Sequence, residues 1–140
     1  MQLVDPDSFA ASTATIDQYL ALCEERNLKA ASAHLAPDAL LVWPGGTRHE
    51  SLQDMVESAS GRYRWVRKHR GEYAVGADAE GRTVVTSRGS LYGVNLHGVE
   101  FDGIRYVDVF VLEAGRIIEQ HVWNDLGVVD ALTRTEAPRA

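Results

Sequence analysis

Cysteine is nearly missing from this chain. Cys23 is the one thiol in 140 residues. No internal disulfide can form, and a metal site built on thiolates is not expected. Positive charge is short as well. Lys and Arg number 14 against 20 Asp and Glu, a formal net charge of −6 with His neutral. That balance argues against nucleic acid or an anionic membrane as the main partner. One stretch runs the other way: RYRWVRKHR, residues 62–70, interleaves Arg with Tyr and Trp as some RNA-binding surfaces do. A single basic strand on an acidic domain is the plainer reading. No apolar run is long enough to span a bilayer and no signal-peptide pattern appears, so the chain is expected to be soluble and cytoplasmic. No trio of His, Asp or Glu has metal-ligand spacing. Gly45-Gly46 ends a strand and does not form a phosphate-cradling loop, and no Gly-x-Ser-x-Gly element occurs. Neither a metal nor any other cofactor is expected.

What is present suits one ordinary domain. At 45% hydrophobic and 24% charged, residues 1–140 can bury a core, with its body at about 12–126 and short loose tails before Ser8 and after Leu132. STATIDQYLALCEER (12–26) has helical spacing, with Ile16, Tyr19, Leu20 and Cys23 on one face and Ser12 or Thr13 as cap. A short second helix follows at 28–35, ended by Pro37, then an apolar strand at 39–43 and a third helix at 50–60 closed by Gly61. From there the period becomes two. Strands are expected at 62–78, 82–94, 104–112 and 116–126, in a meander, with a longer connection at 95–103. Neighbouring antiparallel strands with helices gathered on one side make an α+β fold.

The strand patterns raise the functional question. In IRYVDVFVL, Asp108 shares a face with Ile104, Tyr106 and Phe110, while Val107, Val109 and Val111 take the other. Burying a lone carboxylate costs several kcal/mol, so Asp108 needs water, a partner or a job. Arg88 is the natural partner, since Arg88, Ser90 and Tyr92 are expected on the pocket face of the neighbouring strand. In the last strand, Ile117, Glu119, His121, Trp123 and Asp125 alternate with Ile118, Gln120, Val122 and Asn124. Both faces of these strands are apolar enough to suggest a strongly curved sheet. Its hollow would hold a pocket, and its back could meet another subunit.

Two segments, QYLALCEERNLKAASAHLAPDALLVWPGG and GIRYVDVFVLEAGRIIEQHVWNDL, together with the order of elements, resemble the NTF2-like superfamily. That superfamily includes SnoaL-like polyketide cyclases, ketosteroid isomerases, scytalone and bile-acid dehydratases, and limonene epoxide hydrolase. The resemblance covers roughly residues 12–126. It implies a cone: three N-terminal helices packed in the hollow of a curved, mainly antiparallel sheet. It also implies roles by position. Tyr19 falls where ketosteroid isomerases keep the tyrosine of their oxyanion hole, and Asp108 where they keep a protonated aspartic acid. In those isomerases the apolar site holds that carboxyl neutral, so that it can donate a hydrogen bond. Trp43 stands where they keep their aspartate base, so a base must come from elsewhere. The dehydratases pair a tyrosine on the first helix with a histidine and an acid, and His69 lies in the corresponding region.

The expectation is therefore a cofactor-independent lyase, a dehydratase or retro-aldol enzyme, acting by general acid–base catalysis on a hydrophobic aromatic or polycyclic molecule. Tyr19, Asp108 and His69 are the catalytic candidates. Trp43, Tyr63, Trp65, Arg88, Tyr92, Phe110, His121, Trp123 and Asp125 are the candidates for binding substrate. A homodimer or homotrimer through the sheet is expected. The alternatives are an isomerase of the ketosteroid type and a non-catalytic binding module.

Overall fold

The computed structural model describes residues 8–137. Helix α1, Phe9–Glu24, is capped by Ser8, whose hydroxyl accepts from the Ala11 N–H at 3.2 Å. It starts a turn earlier than the sequence suggests. Ser12 is fully buried inside the helix, and Thr13 donates back to the Phe9 carbonyl at 2.8 Å, so neither is free to cap. Helix α2, Leu28–Ser32, is capped by Asn27 and ends short of 35, because the chain passes at once into β1, Leu35–Trp43. Pro37 sits inside β1, at the irregularity between Leu35 and Leu40 where the register with its neighbour shifts, and so its missing N–H removes no regular ladder bond. A 3-10 turn, Pro44–Gly46, and a three-residue strand β2, Thr47–His49, precede α3, Leu52–Ser60. The sequence pattern does not show β2. Ser51 caps α3 and Gly61 follows it.

The meander is as expected: β3, Tyr63–Ala77; β4, Thr83–Asn95; β5, Glu100–Glu113; β6, Arg116–Asn124. Strand β5 begins at Glu100, not 104, because the Asn95 side chain accepts from the His97 and Val99 N–H groups at 2.9 and 3.0 Å and tightens the turn. The sheet order is β2-β1-β6-β5-β4-β3, with β1 and β6 parallel and the other pairs antiparallel. Among the described residues, three helices pack on this curved, unclosed sheet, so the fold is α+β. No described helix is long and apolar enough to cross a membrane.

Two apolar clusters fill the inner face. One packs the helices, through Ile16, Tyr19 and Leu20, on Val85, Phe110 and Leu112. The other packs the C-terminal turn, through Leu126 and Ala131, on Leu91, Ile104 and Tyr106. That turn is not a loose tail at its start: Asn95 donates to the carbonyls of Ala131 and Arg134 at 3.0 and 2.8 Å. Residues 1–7, expected as the other tail, lie outside the described residues. Along β4 and β5 the two clusters are separated by Ser87 and Asp108, which face each other across the strands.

Three irregularities decide which side chains point inward. The β3–β4 register shifts between Tyr63 and Trp65 and again between Arg70 and Glu72. Each bulge turns the alternation over. Tyr63, then Val66, Lys68 and Arg70, then Tyr73 and Val75, are the less exposed residues of β3. The third shift falls between Val111 and Leu112, where Ile118 is the extra residue of β6. Ile117 therefore faces inward, but so do Gln120 and Val122, and Trp123 is 55% exposed.

Candidate active site

Asp108 lies at the centre of the inner face with no exposure at all, and neither carboxylate oxygen has a hydrogen-bond partner among the described residues. Its nearest opposite charge is Lys68, whose Nζ is 3.6 Å from Oδ2 and whose side chain is 21% exposed. The ammonium also sits 5.1 Å above the Tyr106 ring. Burial pushes the Asp108 carboxyl above its ordinary value, and the ammonium pulls it part of the way back. Burial works against the Lys68 charge, but Asp108 and Tyr106 more than offset it, and Lys68 is held above its ordinary value.

Tyr106 shares its hydroxyl with Ser87 at 3.2 Å. Gly89 leaves the space the ring needs: a Cβ there would meet Tyr106 Cε1 at 3.2 Å and the His69 carbonyl at 2.2 Å. Tyr19 is fully buried, stands edge-on to Phe110 with centroids 5.9 Å apart, and donates its hydroxyl to Gln120 Oε1 at 2.6 Å. Burial raises the Tyr19 phenol well above its usual range.

A cavity of about 70 Å³ opens beside these groups. Leu20, Cys23, Met55 and Val66 form apolar walls, Lys68, Gln120, Glu24 and Arg26 bring polar atoms, and Trp43 and Tyr63 complete the lining. Burial pushes the Cys23 thiol up to about 11, which makes it a poor nucleophile. Glu24 is tied down: it accepts from the Lys68 backbone N–H at 2.8 Å and pairs with Arg70 at 3.2 Å.

The structure thus brings Tyr19, Asp108, Phe110, Trp43 and Tyr63 to the inner side and leaves the remaining candidates out. His69 is on the outer face, 61% exposed, 3.7 Å from Asp102 and stacked on Tyr92 at 4.2 Å. Trp65 packs edge-on against the same Tyr92. Strict alternation places both inside with Tyr63, and the bulge after Tyr63 turns them out. Arg88 does not pair with Asp108. Inward positions on β4 are odd, as Ser87 opposite Asp108 shows, and Arg88 pairs outside with Glu72. The bulge at Ile118 likewise turns out His121, Trp123 and Asp125. His121 bonds Glu119 at 2.9 Å and stacks on Trp123, while Asp125 accepts from Arg105 Nε at 2.7 Å. Arg88, Trp123 and Asp125 line a separate shallow groove of about 680 Å³ on this outer face. Sequence reasoning missed Lys68 and Gln120. A buried mid-strand Asp implied a cation, but the period-two count assigned Lys68 to the wrong face. No cluster of three metal-ligating side chains occurs among the described residues.

Comparison with known proteins gives a consistent picture of the fold. The model of a family described as the SnoaL-like domain matches residues 16–120. TerC, crystallised with polyporic acid, is similar in structure: TM-score 0.73 and 16% identity over 86% of this chain and 96% of TerC. An NTF2-like protein of unknown function from Burkholderia pseudomallei K96243 gives 0.72 and 17% over 86% and 95%. A putative polyketide cyclase from Xanthomonas campestris pv. campestris gives 0.64 and 16% over 88% and 96%. No curated protein matches the sequence.

Proposed function

The chain belongs to the SnoaL-like domain family, and from that premise we propose that it is a lyase that works without a cofactor on a hydrophobic, ring-containing organic molecule. The reaction is loss of water, or retro-aldol cleavage of a carbon–carbon bond, by general acid–base catalysis. One observation carries the reading. Asp108 is fully buried with both oxygens unbonded, and the ammonium that faces it also lines the cavity. Such an arrangement costs stability and gathers at functional sites. Asp108 keeps Lys68 protonated, and Lys68 lends a proton or a positive charge to a substrate carbonyl or departing hydroxyl. Glu24 is the carboxylate in the cavity wall, and it takes the carbon-bound proton on a lone pair that its bonds to the Lys68 N–H and Arg70 leave open. Tyr19 acts through Gln120. His69 has no part in this scheme, because it lies on the far side of the sheet. The names of two similar proteins, a putative polyketide cyclase and TerC with polyporic acid, support an organic ligand in a fold of this shape.

The test is a screen of β-hydroxy ketones and enolisable ring ketones, followed by Asp108→Asn. The variant is expected to lower kcat/KM by about 10²–10⁴-fold. Asp108 acts through Lys68, so the alkaline limb of the pH profile should also move to lower pH. Unchanged turnover and an unchanged profile in Asp108→Asn end the proposal.

A second reading, a binding module or a ketosteroid-type isomerase, has one observation in its favour. The cavity of about 70 Å³ holds only a few heavy atoms, so most of a larger ligand must rest at the rim on Trp43 and Tyr63. Trp43 cannot act as a base. Pairing of two chains through the outer face, where Val107 and Trp123 line the groove, belongs to the same proposal. Sedimentation of Trp123→Glu against the parent tests it.

A further inference from the structure

We propose that Arg26 is a clamp for an anionic group at the mouth of the cavity, and that the ligand is therefore a ring-containing acid whose carboxylate stays at the rim while the rest of the molecule faces inward. This rests on the reading of the same cavity as the place where a ring-containing molecule binds, and it adds a permanent charge to that molecule.

Helix α1 ends in a Schellman turn. The Arg26 N–H bonds the Cys23 carbonyl at 3.1 Å, and the Asn27 N–H bonds the Leu22 carbonyl at 3.0 Å. Such a turn needs one residue at positive φ, and Arg26 supplies it at 60°. Glycine is the ordinary occupant of that position, because a Cβ is crowded there. Arginine holds it against the local preference, and backbone strain of this kind gathers at functional sites.

The side chain shows what the strain serves. Arg26 is exposed, yet it lines the cavity beside Trp43 and Tyr63. Its Nη1 donates to the Cys23 carbonyl at 2.9 Å, and its guanidinium makes no other hydrogen bond or ion pair with a described residue. That one bond fixes the group in place and leaves the Nε–Nη2 edge open. Two parallel N–H groups on that edge match the two oxygens of a carboxylate.

The charges around the cavity point the same way. Glu24 has Arg70 at 3.2 Å, and Lys68 has Asp108 at 3.6 Å. Arg26 has no carboxylate partner among the described residues, in a chain with 20 acidic side chains against 14 Lys and Arg. The ligand supplies the missing charge. The cavity of about 70 Å³ admits only a few heavy atoms. A ring system entering it therefore lies across Trp43 and Tyr63, and a carboxylate on its outer end meets Arg26. Arg26 takes no part in the chemistry. It orients the molecule and selects the acid over its neutral relatives.

The probes are 2-naphthoate and 2-naphthamide, which share a ring and a shape and differ in charge. Calorimetric titration of the parent is expected to favour the acid by at least about fivefold, the effect of one well-placed ion pair. Arg26→Gln keeps a polar side chain without the charge, and it should abolish the preference. Arg26→Gly should abolish it too and should melt at a higher temperature than the parent, because glycine relieves the turn. Equal affinity of the parent for the two probes, no binding of 2-naphthoate, or a preference that survives Arg26→Gln would each overturn the inference. So would an Arg26→Gly that melts lower and keeps the preference, since Arg26 would then be a helix cap and nothing more. A preference that depends on Arg26, in a protein that turns over no hydroxy or enolisable ketone, supports the clamp and ends the lyase reading. Turnover of such a ketone with no preference for the acid does the reverse.

Discussion

Lys68 Nζ reaches to 3.6 Å from Asp108 Oδ2 although a whole strand, β4, lies between their own strands. The backbone of Lys68 pairs with Leu91, which in turn pairs with Ile104, whereas Asp108 pairs with Ser87. The long lysine side chain makes up that difference by passing over the Tyr106 ring, where its ammonium ends 5.1 Å from the centroid. A shorter cation could not make this pair.

Removing one member of the pair should therefore be costly. Lys68→Met leaves a buried carboxylate without a counter-charge and is expected to lower stability by about 3–5 kcal/mol near neutral pH. The double variant Lys68→Met/Asp108→Leu should recover most of that loss, because two apolar groups of similar volume need no partner. Urea unfolding of the three proteins checks both statements. A double variant no more stable than Lys68→Met would mean that the pair is not the source of the loss.

The same pair fixes a pH dependence. Burial raises the Asp108 carboxyl above its ordinary 3.8. The folded protein then holds this proton more tightly than the unfolded chain does. The contribution is full below 3.8 and is lost as pH rises through the folded value. Asp108→Asn has no such proton. The stability of the parent relative to Asp108→Asn should fall as pH is raised from about 4 toward neutrality. Lys68, held above its ordinary 10.5, adds stability that persists through the neutral range and is lost only as pH rises past its folded value. Thermal midpoints of both proteins across pH measure the difference, and a flat difference over the acid range contradicts the assignment.

Tyr19→Phe keeps the ring against Phe110 but strips Gln120 Oε1 of its donor. An unmet buried acceptor costs about 1–3 kcal/mol. Urea unfolding of Tyr19→Phe against the parent reads the loss, and equal stability of the two proteins would show that the bond to Gln120 contributes nothing.

Helix α1 is tied to β3 through Asp17, which accepts from the Tyr73 hydroxyl at 2.6 Å and from Arg70 Nε at 2.8 Å. The Tyr73 bond is the main cause that holds the Asp17 carboxyl below its ordinary 3.8. A lowered folded value means that the contribution is present above 3.8 and is lost as pH falls through the folded value. Tyr73→Phe should cost about 1 kcal/mol near neutral pH, a figure discounted because Asp17 is half exposed. The cost should shrink in acid below the lowered value of Asp17, where the carboxyl is neutral. Equal losses at the two pH values would show that Tyr73 contributes by packing alone.

Much of the fold was legible in the sequence. The spacing of Ile16, Tyr19 and Leu20 marked α1, Gly61 marked the end of α3, and the period-two stretches marked β3 to β6, because helix and strand periods are local properties of the chain. The inner face of β5 was legible too: Ile104, Tyr106, Asp108 and Phe110 are buried together, since no bulge interrupts that run. The three-residue β2 was not, being too short to show a period. Nor was the parallel pairing of β1 with β6, which brings together segments far apart in sequence.

The sequence by itself determined that a carboxyl would stand among apolar side chains at position 108 and that something must answer for it. It could not say what. Which of Lys68 or His69, Gln120 or His121, turns toward that carboxyl depends on whether the alternation of β3 and β6 is kept or broken upstream. The bulges that break it form only when one strand is laid against its neighbour, and each extra residue moves every side chain beyond it to the other face. The tertiary structure thus took His69 and Trp123 out of the candidate site and brought Lys68 and Gln120 into it.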